Sequence, residues 1–296
     1  MKLCLGTVQF GLNYGIQGNG QPQEEKVFDM LSYAINNGID ILDTASAYGE
    51  AERVLGEYFG LHPEMRGKTG VVSKLKPDAF EDGKEEQWAE IAVQNAKASL
   101  ERLGVGKLTA YLFHNAAYIF KEKAVNALYE VKSAGLTERI GVSIYTPEEA
   151  MKALDYPQIK AIQVPYNLFD RRLDECGFFE KVKEKGVLVF ARSSLLQGLA
   201  VMDPDNLPER VSFAKSYIEQ IQDICQEYDK TRLEAAIGYV GGKPGIDYVV
   251  FGVDNIEQLS EYVSLQDVRL PNEMIKAIDK TFENVEERLV NPVLWK

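Results

Sequence analysis

The sequence predicts an α/β protein folded as a (β/α)8 barrel, the TIM-barrel architecture. Three observations carry that prediction. Eight short runs rich in apolar and β-branched residues recur along the 296 residues, each is followed by a stretch of helical periodicity, and the runs are apolar at consecutive positions. Strands buried on both faces of a parallel sheet read in this continuous way, as in GVLVFA and DYVVFG. One such barrel takes about 250 residues, so the length suits it.

The elements follow in order. Strand Lys2–Thr7 leads to helix Gln23–Asn36, which Asn37-Gly38 closes, glycine being the residue that accepts the left-handed conformation past a helix end. Strand Ile39–Asp43 leads to Ala51–Phe59, and Gly70–Lys74 to Glu85–Leu103, closed by Gly104. Strand Thr109–His114 precedes Lys121–Ser133, with Gly135 after it. Strand Arg139–Ser143 precedes Pro147–Leu154, where Thr146, Pro147, Glu148 and Glu149 make a helix start of the N-cap and N1 kind. Strand Ala161–Val164 precedes Leu173–Lys185, ended by Gly186. Strand Val187–Ala191 runs into the longest irregular stretch, Arg192–Pro208, before Val211–Glu227 and Arg232–Val240. A loop of that length after a strand is an active-site cover or disorder. Strand Tyr248–Phe251 precedes Ile256–Tyr262, and a last helix, Asn272–Phe282, and a tail bearing Trp295 lie beyond. No linker rich in Pro, Gly or Ser interrupts the series, so residues 1–296 are expected to form one domain.

Composition narrows the function. Hydrophobic residues make up 45% and charged residues 26%, an ordinary soluble balance. No run approaches the roughly 18 apolar residues of a membrane span, and MKLCLGTVQFG reads as a strand, not a signal peptide. Three scattered cysteines, Cys4, Cys176 and Cys225, suit a reducing cytoplasm. A net charge of −12 without a Lys/Arg stripe speaks against nucleic acid. With no CxxC pair and only His62 and His114, no metal site is expected.

Four residues stand at or just past the ends of the second, third and fourth strands: Asp43, Tyr48, Lys74 and His114. That rim is where barrel enzymes build their sites. A free phenol titrates near about 10, and an ammonium within about 4–6 Å lowers it by roughly 1–3 units. Lys74 is expected to supply that charge to Tyr48, Asp43 to compensate a lysine whose own pKa would fall, and His114 to direct a carbonyl oxygen. Each residue alone has a plainer reading as a turn anchor, packed aromatic, solvated charge or neutral histidine. Their convergence on one rim favours chemistry. Phe10, Tyr14, Tyr118, Tyr166 and Phe169 fall in or near rim loops and are candidates for aromatic walls around a sugar-like or aromatic carbonyl compound.

These residues lie within segments that resemble the aldo-keto reductases, in order along nearly the whole chain: Gly6-Thr7, IDILDTASAYG, SKL, LFHN, GVSIY, QVPYN, ARSSLLQGL and DYVVFGVDNIEQLSEY. The resemblance implies an NAD(P)-dependent oxidoreductase (EC 1.1.1.-) that reduces an aldehyde or ketone, with Tyr48 as proton donor and a small-molecule carbonyl substrate. It implies NADPH, with NADH as the alternative. The implied cofactor contacts are Gly6, Thr7 and Asp43; Ser143 and Gln163 at the carboxamide; Arg192 on the nicotinamide face; Ser193, Leu195, Gln197 and Gly198 at the pyrophosphate; and Gly252, Gln258 and Tyr262 toward adenosine.

The sequence also departs from the family pattern. It lacks the usual N-terminal β-hairpin before strand one. Ile144 stands in place of an asparagine, and Arg192 in place of an aromatic that stacks on nicotinamide, although a planar guanidinium can also stack. Gly252, Val253 and Gln258 occupy positions where some members carry Lys, Ser and Arg for the 2′-phosphate, with Asp254 nearby, which leaves the choice between NADPH and NADH open. Tyr262 replaces an asparagine. No GxGxxG follows a strand, so a Rossmann domain is not indicated. The competing function is a nucleotide-binding regulatory or sensor subunit, as in the potassium-channel β subunits.

Overall fold

The computed structural model describes residues 1–16, 18 and 20–295. Eight strands, β1 (Lys2–Gly6), β2 (Ile41–Asp43), β3 (Gly70–Leu75), β4 (Leu108–Phe113), β5 (Thr137–Ser143), β6 (Ile159–Pro165), β7 (Leu188–Arg192) and β8 (Tyr248–Phe251), close a barrel in sequence order. Every pairing is parallel, including β8 back onto β1. The strand–helix alternation read from the sequence is the alternation found, with boundaries shifted by one to several residues.

The shifts have local causes. The long third and seventh helical stretches open as 3-10 turns, Glu85–Gln87 and Glu209–Ala214, before Trp88–Leu103 and Lys215–Glu227. Tighter turns of this kind are frequent at helix starts. The sixth breaks at Gly177, whose φ of 70° separates the turn Asp174–Cys176 from helix Phe178–Lys185. At Pro147 the expected start is present: Thr146 Oγ1 accepts the Glu149 N–H at 3.2 Å, and Glu149 returns an acceptor to the Thr146 N–H at 3.0 Å. Gly104 and Gly186 close their helices with φ of 63° and 59°. Stretch 192–208 carries no α-helix, only single turns such as Leu199–Val201 and Pro204–Asn206.

Two apolar layers hold the barrel. The larger packs the outer faces of the strands against the helices. The smaller fills the interior with Cys4, Ile41, Val72, Ala110, Leu112, Ala161, Phe190, Tyr248 and Val250. On β5 the inward position is Gly141, where a Cβ would overlap the Ala161 carbonyl oxygen, so only glycine fits. At the floor Phe190 and Tyr248 stack with ring centres 5.1 Å apart, and Lys2 reaches Asp40 at 2.7 Å.

The interior layer sets what stands above it. Side chains alternate along a strand, so two residues past each inward position the next one faces the mouth. From Cys4, Ile41, Val72, Leu112, Gly141, Ala161, Phe190 and Val250 this step reaches Gly6, Asp43, Lys74, His114, Ser143, Gln163, Arg192 and Gly252. Every strand therefore delivers one candidate residue to the same rim. Among the described residues, no helix is long and apolar enough to cross a membrane.

Candidate active site

Lys74 is fully buried, with 0% of its side chain exposed, and its ammonium is satisfied by four oxygens. It donates to both Asp43 carboxylate oxygens at 2.9 Å, to the Thr44 carbonyl at 2.9 Å and to Tyr48 Oη at 3.3 Å. A buried charge is tolerated only when paired and hydrogen-bonded in this way. Asp43 is held from two further strands. Gln163 Nε2 donates to its Oδ1 at 2.8 Å, and Thr7 donates to its backbone carbonyl from both N–H (2.9 Å) and Oγ1 (3.0 Å).

Tyr48 sits in the turn between β2 and helix Ala51–Leu61. Its N–H donates to the Ala45 carbonyl at 3.0 Å, and its own carbonyl accepts the Ala51 N–H at 3.0 Å. That turn lies directly against the segment after β1. A Cβ on Gly11 would overlap the Tyr48 carbonyl oxygen, and one on Gly49, at φ 53°, would overlap the Gly11 carbonyl oxygen. These two glycines let the backbones meet and so place the phenol. The His114 ring meets the Tyr48 ring edge-on, with centres 5.7 Å apart and planes at 89°. Its buried Nδ1 has no hydrogen-bond partner among the described residues.

A cavity of about 550 Å³ opens over this cluster. Asp43, Tyr48 and His114 line it, while Lys74 lies behind Asp43 and Tyr48. Every expected cofactor residue also lines it: Gly6, Thr7, Ser143, Gln163, Arg192, Ser193, Leu195, Gln197, Gly198, Gly252, Gln258 and Tyr262. Gln9, Tyr145, Ser194, Met202, Leu233 and Glu261 line it as well; Tyr145, Ser194 and Glu261 fall within GVSIY, ARSSLLQGL and DYVVFGVDNIEQLSEY, whereas Gln9, Met202 and Leu233 lie outside every such segment.

Two electrostatic expectations are reversed. Burial is the largest influence on the Tyr48 phenol and lifts its pKa above the ordinary value, although the Lys74 charge pulls the other way. Burial alone would also lower Lys74, but the Asp43 carboxylate and the Tyr48 phenol together outweigh it and hold the ammonium above the usual lysine range. The phenol therefore keeps its proton at neutral pH beside a permanent positive charge. His114 is pushed down to about 4, first by burial and then by the charges of Lys74 and Arg192, so it is neutral at neutral pH.

Other expected residues have different neighbours from those anticipated. Gln163 commits its amide to Asp43 and accepts the Ser143 hydroxyl at 3.3 Å, which makes it a support for the carboxylate. The Tyr262 ring is buried and stacks on Phe251 at 4.4 Å, leaving at most one face for a ligand. Gln258 Oε1 accepts the Asp254 N–H at 2.8 Å and stiffens the loop before helix Ile256–Ser264. The space over Gly252 is taken by the Gln9 side chain, whose buried Oε1 has no partner among the described residues. Of the expected rim aromatics only Tyr14 lines the cavity; Phe10, Tyr118, Tyr166 and Phe169 are buried in the core. Trp295, in the tail, is also buried and donates to the Arg288 carbonyl at 2.6 Å.

The donor set fits a nicotinamide dinucleotide. Ser193, Leu196, Gln197 and Gly198 all carry φ between 51° and 94°, a cluster of left-handed residues after β7. Successive backbone N–H groups in such conformations form anion-binding concavities, and non-glycine residues held there mark strain kept for a purpose.

The description "Aldo/keto reductase family" matches residues 2–283. The chain belongs to that family. The NADH-specific methylglyoxal reductase of Escherichia coli (strain K12) is 24% identical to it, over 94% of this chain and 96% of that protein. An aldo-keto reductase of Gibberella moniliformis is 26% identical, over 93% of this chain and 89% of its own length. A crystal structure from Pseudomonas aeruginosa assigned to the aldo-keto reductases shares the barrel at a TM-score of 0.65 and 23% identity, covering 93% of this chain and 90% of that one. Membership supports an oxidoreductase whose general chemistry is carbonyl reduction, in a family that uses nicotinamide cofactors.

Removing one member of the buried pair leaves the other charge uncompensated. Lys74→Met is expected to destabilise the protein by about 3–5 kcal/mol in denaturant unfolding, and Lys74→Met/Asp43→Leu to recover part of that loss. A double variant no more stable than Lys74→Met would mean that the pair is not the coupled unit. His114 yields a second expectation. Its folded pKa lies below the ordinary histidine value of 6.5. The unfolded chain then binds the extra proton first, so the stability contributed by neutral His114 is complete above about pH 6.5 and is lost as pH falls toward 4. Imidazole NMR, assigned with His114→Gln, should show a midpoint near 4. A midpoint near 6.5 contradicts the buried, neutral ring.

Proposed function

We propose that the protein reduces an aldehyde or ketone to an alcohol with NAD(P)H, and that Tyr48 donates the proton. The observation that carries this reading is the 3.3 Å contact from a fully buried ammonium to a phenol on a cavity wall. Because Lys74 donates to the Tyr48 oxygen, the phenol's own proton is left for another acceptor. A raised pKa keeps that proton in place until a carbonyl oxygen gains negative charge and takes it. Lys74 then stabilises the phenolate that remains, and Asp43 keeps the lysine charged. Neutral His114 offers a ring N–H to the same carbonyl oxygen and fixes its direction.

A bound reduced nicotinamide would supply the hydride. Ser143 and Arg192 would hold its ring end and the left-handed loop 193–198 its phosphates. Of the two cofactors NADH is the better match. Asp254 and Glu261 line the cavity, and Gly252 and Gln258 stand where resembling chains carry cations for the 2′-phosphate. A carboxylate in that region suits a ribose hydroxyl and repels a phosphate. The similar Escherichia coli protein, named as NADH-specific, is consistent with this choice.

One titration series tests the reading. Tyr48→Phe should lower turnover of aldehydes by about 10²–10⁴-fold, while NADH affinity by fluorescence stays within about threefold. The unmodified protein should bind NADH about tenfold more tightly than NADPH, which corresponds to about 1.4 kcal/mol. Retained turnover in Tyr48→Phe removes it as proton donor, and tighter NADPH binding overturns the acidic-wall argument. Tight cofactor binding with no carbonyl turned over would favour a sensor.

A further inference from the structure

Arg192 is the only lysine or arginine among the described residues that lines the cavity. It is held rigidly. Nη2 donates to the Ile144 carbonyl at 2.9 Å, Nη1 donates to Ser193 Oγ at 3.3 Å, and the guanidinium carbon lies 4.5 Å from the centre of the Tyr145 ring. A guanidinium carries five N–H donors, so these two bonds leave three. Arg102, Arg171 and Arg172 each meet a carboxylate at 2.6–2.8 Å, whereas no carboxylate pairs with Arg192 among the described residues. A partly buried, oriented guanidinium without its own carboxylate partner matches a carboxylate ligand, which it can bind through two parallel bonds.

The surroundings narrow the ligand further. Tyr14 and Tyr145 line the same cavity with 43% and 50% of their surface exposed, which provides flat apolar cover. The Asp43 charge is already matched by Lys74, and Asp254 and Glu261 would repel an anion. Arg192 is thus the point on the wall where an anion gains most. Arg192, Tyr48 and His114 line the one cavity, and the Arg192 charge acts on both the phenol and the imidazole, so it stands near the groups that would hold the carbonyl.

We propose that Arg192 selects carbonyl substrates that carry a carboxylate, binding that group while Tyr48 and His114 hold the reacting oxygen. The proposal rests on the carbonyl-reductase reading above and adds a substrate class to it. Its chemistry is recognition of an oxyanion, and a cofactor pyrophosphate is the other source of one.

The test compares acids with their neutral methyl esters: glyoxylate, succinic semialdehyde and 4-carboxybenzaldehyde, each against its ester, with NADH. The unmodified protein should favour at least one acid over its ester by about tenfold in kcat/KM, the scale of a charge-assisted bidentate contact. In Arg192→Met that ratio should fall toward one, whatever rate change the two substrates share. Arg192→Lys, which keeps the charge and loses the fork, should fall between. A binding readout independent of turnover is calorimetry with the alcohol 4-(hydroxymethyl)benzoate and its methyl ester, with and without NAD⁺. The acid should bind more tightly, and the advantage should vanish in Arg192→Met.

Equal kcat/KM for all three acid–ester pairs, or ratios unchanged by Arg192→Met, overturns the proposal. Weaker NADH binding in Arg192→Met with an unchanged acid–ester ratio assigns the guanidinium to the pyrophosphate and also overturns it. If no carbonyl compound is reduced at all, the reductase reading fails, and equal calorimetric affinity for acid and ester then overturns anion recognition independently.

Discussion

One interaction organises the site: a fully buried lysine ammonium that must never be without a carboxylate. Removing Lys74 from water is unfavourable by several kcal/mol unless its donors are matched. The match requires Asp43 beside it, and Asp43 in turn requires Thr7 and Gln163. One ion pair therefore ties β1, β2, β3 and β6 into a common register at the mouth of the barrel. The phenol of Tyr48 and the ring of His114 then lean on a platform that cannot shift without exposing a charge.

Burial and ion pairing together give the cluster its protonation pattern. Burial keeps the proton on the phenol and the imidazole neutral, while the ammonium keeps its charge against burial because Asp43 and Tyr48 hold it. Isolated in water, none of the three would be tuned in this way. Together they form an acid with a fixed positive neighbour, the arrangement a carbonyl oxygen needs as it gains charge.

Much of this was legible in the sequence, for a physical reason. A barrel strand has period two, so a polar residue two places past an apolar inward one lies on the rim; Asp43 after Ile41 and Lys74 after Val72 are readable in this way. What was not legible depends on packing. Whether a phenol is raised or lowered depends on how far water is excluded, which no motif records. The support given by Gln163 to Asp43 spans 120 positions of sequence. Gly11, Gly49 and Gly141 matter because particular backbones pass close by, and Tyr145 faces the cavity although nothing in GVSIY separates it from a surface aromatic. Conversely Phe10, Tyr118, Tyr166 and Phe169 look like rim residues until the outer core is seen to cover them.

The most direct measurement is a crystal structure of the protein with NAD⁺ and an unreactive carbonyl or carboxamide ligand. The account predicts that the ligand's oxygen lies within about 2.6–3.2 Å of Tyr48 Oη, with a ring nitrogen of His114 in reach and Lys74 still bound to Asp43. A ligand oxygen held away from Tyr48, or a lysine that has left the carboxylate when the cavity fills, would contradict it.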